Sequence, residues 1–167
     1  MSTEQVFERR RMLITAMTSL VGAESFDELV EVLRRHARFI AASEGVCVVR
    51  REGDQVAYLA EDAVRPLWAG RRFPIEACIS GRAIVEKRAI QIPDIYADER
   101  VPHAAYRPTF VGSMAMFPIG LDEPSMALGA YWRAIKPIEP VAVTLLSSLA
   151  DCAGHTLQRL TSSAAAA

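Results

Sequence analysis

Two pairs of short segments in this chain are apolar at almost every position. Val46-Cys47-Val48-Val49 is followed, across Gly53-Asp54, by Val56 to Leu59; Ser113 to Ile119 is followed, across Asp122-Glu123-Pro124, by Ser125 to Trp132. β-Branched and aromatic runs of this length, broken by turn residues, predict two β-hairpins. The runs do not alternate cleanly between apolar and polar, so a sheet built from them needs cover on both faces. The rest of the chain has to supply that cover.

Helical stripes before and after the hairpins supply one layer. In residues 1–22, Phe7, Ile14 and Val21 recur every seven positions beside Val6, Leu13, Met17 and Leu20, which predicts a helix with an apolar seam. Glu8, Arg9, Arg10 and Arg11 read as its solvated face. Gly22 closes this helix, and Ser25 with Glu28 predicts a capping box opening the next. Phe26, Leu29, Val30, Leu33, Ala37 and Ile40 form the core stripe of that second helix; Arg34, Arg35 and Arg38 point elsewhere, and His36 reads as a surface residue. Pro140 suits a first helical position, and Val143, Leu146, Leu149, Ala153, Leu157 and Leu160 carry the last helix. Residues 162–167 have nothing apolar enough to dock and read as a disordered tail.

Between the hairpins, Trp68 to Pro108 is irregular and rich in polar and aromatic side chains, where function-bearing residues are expected. It contains a helix over Ser80–Arg88, a short strand over Ala89–Ile92 stopped by Pro93, and a loop with one helical turn at Asp98-Glu99-Arg100, ended by Val101-Pro102. The pattern predicts an α+β domain over 1–161. A central antiparallel sheet of five or six strands carries the N- and C-terminal helices on one face, and the irregular loop and helix segment forms a pocket on the other.

Composition narrows the function. The 167 residues are 51% hydrophobic, with 19 Lys and Arg against 20 Asp and Glu for a net charge of -1, which gives no basis for nucleic-acid or anionic-membrane partners. No apolar run reaches the ~18 residues of a membrane span and no secretion signal opens the chain, so a cytoplasmic protein is expected. Met1 reads as a natural start, whereas the alanine tail leaves the end open. Cys47, Cys78 and Cys152 are odd in number and widely spaced, which reads as reduced thiols, with Cys47 a small core residue. His36, His103 and His155 are equally scattered, and no metal site is expected.

The element order, with Ala77-Cys78-Ile79-Ser80-Gly81-Arg82-Ala83, then Ile92-Pro93-Asp94-Ile95-Tyr96, Ser113-Met114-Ala115-Met116-Phe117-Pro118-Ile119 and Leu128-Gly129-Ala130-Tyr131-Trp132, resembles the GAF domain family across nearly the whole chain. That family comprises sensory modules of bacterial histidine kinases, phytochromes and cyclic-nucleotide phosphodiesterases. The resemblance implies a small-molecule-binding regulatory module in signal transduction, linked to a kinase or other output partner, whose terminal helices pair in a homodimer. For the heptad seam of Phe7, Ile14 and Val21, covering the sheet is the alternative to pairing.

The resemblance leaves the cofactor unidentified. Pro102-His103-Ala104-Ala105-Tyr106 matches the spacing of a His and Tyr that flank the tetrapyrrole of phytochromes, but Pro102 stands where members attaching the bilin through this loop have a Cys. Only a thiol makes the thioether, so no covalent bilin is expected here. Asp94-Ile95-Tyr96 also departs from the phytochrome Asp-Ile-Pro, and the absence of Asn removes the cyclic-nucleotide signature. Some GAF domains reduce free methionine sulfoxide with pocket cysteines. By resemblance Cys78, at a helix N-terminus, is the attacking thiol of that alternative, for which Cys47 and Cys152 offer no resolving partner in the pocket segment. A ligand-free dimerisation module is the remaining alternative.

The expected ligand-binding residues are Asp94, Tyr96, His103, Tyr106, Met114, Met116 and Tyr131. Local roles stand beside these: Asp94 capping the turn after Pro93, His103 on the surface, Tyr106 beneath its loop, and Met114 and Met116 under the terminal helices.

Overall fold

A computed structural model describes all 167 residues. The two hairpins form as the sequence predicts. Strand β1 is Gly45–Glu52 and β2 is Gln55–Ala63; β5 is Ser113–Ile119 and β6 is Met126–Trp132. Short strands β3, Arg72–Pro74, and β4, Ile90–Ile92, extend the edges to give a six-stranded sheet in the order β3-β2-β1-β6-β5-β4. All its pairings are antiparallel. The two hairpins meet at β1 and β6, where Gly45 to Arg50 run opposite Tyr131 to Met126.

Strand alternation sorts the side chains into two cores. Val46 and Val48 of β1, Ala115, Phe117 and Ile119 of β5, and Met126, Leu128, Ala130 and Trp132 of β6 face the helices. These helices are α1 (Thr3–Gly22), α2 (Phe26–Ala41) and α5 (Pro140–Ala166). Leu13, Ala16 and Leu20 of α1, Leu29, Leu33 and Ile40 of α2, and Leu146, Leu149 and Ala153 of α5 complete an almost wholly hydrocarbon layer. Cys47, Val49, Met114, Met116, Ala127 and Tyr131 face the other way. They meet α3 (Ile79–Glu86), α4 (His103–Tyr106) and the loops around them.

Helix ends follow local chemistry. Ser2 and Gln5 form a reciprocal capping box on α1 that the sequence reading lacks. At α2 the box is half made: Ser25 Oγ accepts from the Glu28 amide, but the Glu28 carboxylate accepts from Glu24 N. The helical turn expected at Asp98–Arg100 lies instead at His103–Tyr106, after Pro102. Proline excludes helix from the residue before it and opens one readily. Helix α5 continues to Ala166, through the residues read as a disordered tail, because alanine favours helix without needing a docking surface.

Arg9 overturns its sequence reading. It is only 3% exposed, because it continues the stripe of Leu13, Ala16 and Leu20 at offsets of four, seven and eleven. Its Nε donates to Ile40 O at 2.8 Å, its Nη2 to Ala41 O at 3.3 Å, and its Nη1 to Glu139 at 2.8 Å. Trp132 Nε1 donates to Ala42 O at 3.0 Å. The last carbonyls of α2, which no turn of helix satisfies, are thereby closed from α1 and β6. His36 is likewise half-buried, with Nδ1 3.1 Å from Met12 Sδ.

The seam of Phe7, Ile14 and Val21 does not cover the sheet. These residues are 61, 65 and 70% exposed, on the side of α1 away from Leu13 and Leu20.

Arg9→Met strands the Ile40 and Ala41 carbonyls and should lower the unfolding free energy by about 1–3 kcal/mol. Arg10→Ala, on the exposed face of the same turn, should change it by less than ~0.5 kcal/mol. Urea denaturation of both variants measures the difference.

Candidate functional site

The face of the sheet turned away from the terminal helices differs chemically from the helix side. Its core holds three phenols, Tyr58, Tyr106 and Tyr131, an indole, Trp68, two thiols, Cys47 and Cys78, and two thioethers, Met114 and Met116. The one charged side chain buried in the protein, Arg9, lies on the helix side.

A bulge in β2 builds one wall. Cys47 pairs with Glu61 and Val48 with Ala60, but Val49 pairs with Tyr58, so Leu59 is an extra residue in the ladder. In a regular strand, residues three apart point to opposite faces. The bulge places Tyr58 and Glu61 on the same face, beside Cys47 and Val49.

The bulge lets Glu61 accept from three consecutive loop amides: Leu67 N at 2.8 Å, Trp68 N at 2.9 Å and Ala69 N at 2.6 Å. These charge-assisted bonds set Trp68 over the sheet. Its ring centroid lies 4.7 Å from that of Tyr106, 5.4 Å from Tyr131 and 5.7 Å from Tyr58, and its Nε1 donates to Ala105 O at 3.4 Å.

The opposite wall is α3. Gly81 has no side chain because the Ile75 carbonyl occupies the place of its Cβ, and this close approach seats the start of α3 on the core. Ser80 Oγ lies 3.1 Å from the Tyr58 hydroxyl and 3.3 Å from Cys78 Sγ. Tyr106 donates to Met114 Sδ at 3.5 Å.

The Tyr131 hydroxyl is the one buried side-chain oxygen without a well-formed hydrogen bond, its polar neighbour being the Cys47 thiol. Room for its ring comes from Gly129, two residues back on the same strand, where a Cβ would strike the phenol and the Met116 methyl. Burial pushes all three phenols and both thiols above their ordinary pKa ranges, so at neutral pH the whole group is uncharged.

The structure divides the seven sequence-derived residues. Tyr106, Met114, Met116 and Tyr131 come together in this core, with the methionines on the loop side rather than under the helices. Asp94, Tyr96 and His103 stay outside it. Asp94 Oδ1 caps the local turn by accepting from Tyr96 N at 2.9 Å; Tyr96 is 46% exposed; and His103 Nε2 lies 3.0 Å from Asp98 O, its ring 5.8 Å from that of Tyr96. Sequence reasoning missed Tyr58, Glu61, Trp68 and Ser80. Trp68, opening the irregular segment, was the available signal; the bulge that turns Tyr58 and Glu61 inward leaves none. Cys47, set apart from the pocket on the grounds of its strand, lies in the same core as Cys78.

Neither a family model nor a curated protein sequence matches this chain. Solved structures do. The GAF domain of a phosphoenolpyruvate-protein phosphotransferase from Coxiella burnetii superposes with a TM-score of 0.79 at 9% identity, over 96% of this chain and 98% of that one. The chain has the GAF fold. Within that fold, the free methionine-R-sulfoxide reductase of Neisseria meningitidis, solved with its substrate, superposes equally well, with a TM-score of 0.79 at 14% identity, over 98% of this chain and 96% of that one. The chromophore-binding domain of a bacteriophytochrome from R. palustris gives 0.75 at 14%, over 93% of this chain and 63% of that one. These neighbours therefore include a reductase, a GAF domain of a phosphotransferase and a chromophore-binding domain. No helix of this chain is long and apolar enough to cross a membrane.

In the ligand-free protein, Tyr131→Phe removes a hydroxyl that is desolvated without a well-formed bond, and should raise Tm by roughly 2–4 °C, about 1 kcal/mol. Gly129→Ala crowds the same ring and should cost about 1–3 kcal/mol. Differential scanning calorimetry of the two variants separates these opposite effects.

Proposed function

We propose that this GAF-fold chain is a small-molecule-binding regulatory module whose ligand enters the core between the sheet and the 67–111 segment. The observation that carries the reading is the Tyr131 hydroxyl, fully buried without a well-formed hydrogen bond, with only the weak Cys47 thiol beside it. A buried hydroxyl of this kind costs about 1–3 kcal/mol, and a ligand that hydrogen-bonds to it recovers that cost. Tyr106, Met114 and Met116 supply adaptable walls beside it.

The same reading has the module dimerise through α1 and pass its signal to a kinase or other output partner. In its support, Phe7, Ile14 and Val21 repeat at seven-residue spacing on the exposed side of α1, and burial of each is worth about 1.5–3 kcal/mol.

A reductase reading has one observation in its favour: Cys47 and Cys78 share the loop-side core. Against it, a nucleophilic thiol needs its thiolate, and burial pushes both thiols the other way. A purified sample supplied with dithiothreitol and free methionine sulfoxide should show no turnover above buffer. Turnover abolished by Cys78→Ser would reverse the assignment.

Native mass spectrometry of the freshly purified protein tests the main reading. The expected species is a dimer with retained small-molecule mass, the mass weakened by Tyr131→Phe and the dimer lost in Ile14→Glu. A dimer without added mass supports the ligand-free dimerisation module instead, and a bare monomer removes both halves.

A further inference from the structure

The segment between Val64 and Gly70 is fastened in an unusual way. Val64 N donates to Glu44 O at 2.9 Å and Gly70 N to Tyr58 O at 2.8 Å, which anchors the two ends to the body of the domain. Between them the amides of Leu67, Trp68 and Ala69 all converge on the Glu61 carboxylate. Pro66 has no amide to give, and Gly70 holds a positive φ of 87° that glycine adopts freely. A single side chain thus ties down the middle of the strap.

What the strap carries is Trp68, which fills the space bounded by Tyr58, Tyr106 and Tyr131. Arg65, Pro66, Ala69 and Gly70 around it are exposed, and Leu67 packs half-buried against the same core, so the indole is the one fully buried side chain of the strap. Moving it outward uncovers the Tyr131 hydroxyl and the Cys47 side, since Cys47 and Glu61 are cross-strand partners on one face. Its polar tie to α4 is the long Nε1 contact with Ala105 O, beside the Tyr106 ring.

We infer that residues 64–70 are the movable wall of the loop-side site, with Trp68 as its plug and Glu61 as the positioning residue that latches it. This rests on the proposed ligand site, since a gate needs something to admit. The latch concentrates the strap's polar bonds on one carboxylate, so opening is local and leaves the β1–β6 pairing intact. Regions that open in this way are drawn from the least anchored parts of a fold.

The test uses Cys47, fully buried in the closed form, as the reporter and methyl methanethiosulfonate as the probe. Labelling is followed by mass spectrometry of the digested protein. Glu61→Ala should raise the Cys47 labelling rate about tenfold or more, Glu61→Gln should fall between that and the unchanged chain, and Cys152, on the helix side, should keep its rate. Arg9→Met is the control for global loosening: it weakens the distant helix side and should leave Cys47 labelling nearly unchanged. Equal acceleration by Arg9→Met and Glu61→Ala would overturn the inference, because access would then run through global unfolding; an unchanged Cys47 rate in Glu61→Ala would overturn it as well.

Hydrogen exchange on the unmodified chain provides a second measurement independent of any variant. The Leu67, Trp68 and Ala69 amides should exchange through local opening, far faster than the paired amides of β1 and β6. Exchange at the core rate would contradict a gate. Both experiments read motion without a ligand, so a gate that opens beside a site that binds nothing is distinguishable from a wall that never moves.

Discussion

The antiparallel pairing of β1 with β6 is the constraint on which the rest of the molecule depends. It joins two separately predicted hairpins at their most apolar strands, and every residue of β6 is buried. A sheet centred on such strands exposes hydrocarbon on both sides until two independent covers arrive. The order of the chain follows from this: α1, α2 and α5 close one face, and the segment between the hairpins closes the other.

The two covers are built to different ends. On the helix side, Leu, Ile and Ala interlock over a hydrocarbon layer, and the few polar ties, such as Arg9 to Ile40 O and Ala41 O or Thr156 Oγ1 to Leu20 O at 2.9 Å, close helix ends. That layer is a scaffold. The loop side holds the three buried phenols, both buried thiols and two of the three buried thioethers of the domain over a sheet that alternation leaves with Met114, Met116 and Tyr131. Its cover hangs on few anchors: three amides on Glu61, a short α3 seated through Gly81, and a single helical turn at α4. A rigid sheet carrying polar groups under a lightly fastened cover combines a fixed floor with an adjustable roof.

Much of this was legible where side-chain period and burial agree. The hairpins, the stripe Leu29, Leu33, Ala37 and Ile40, and the opening of α5 at Pro140 stand in the structure as the residues predict. Legibility failed where tertiary context reverses local chemistry. Arg9 reads as a solvated charge, yet α2 ends against it with carbonyls to satisfy. Strand β3 spans Arg72–Pro74 and buries only part of Phe73, too little to leave a pattern. The extra residue Leu59 looks like any other strand residue, although it decides that Tyr58 and Glu61 share a face. Asp94, Tyr96 and His103 are polar groups in a loop, but Asp94 and His103 bond within that loop and Tyr96 is exposed.

The central claim is that the loop-side core receives a small molecule while the helix side stays unchanged. Methyl NMR of methionine-labelled protein tests it most directly, because Met114 and Met116 lie in the loop-side core and Met126 lies in the helix-side core. Titration with a protein-free small-molecule extract of the expressing cells should shift the Met114 and Met116 methyl resonances and leave Met126 in place. Unmoved Met114 and Met116 resonances, or shifts confined to Met126, would contradict the account.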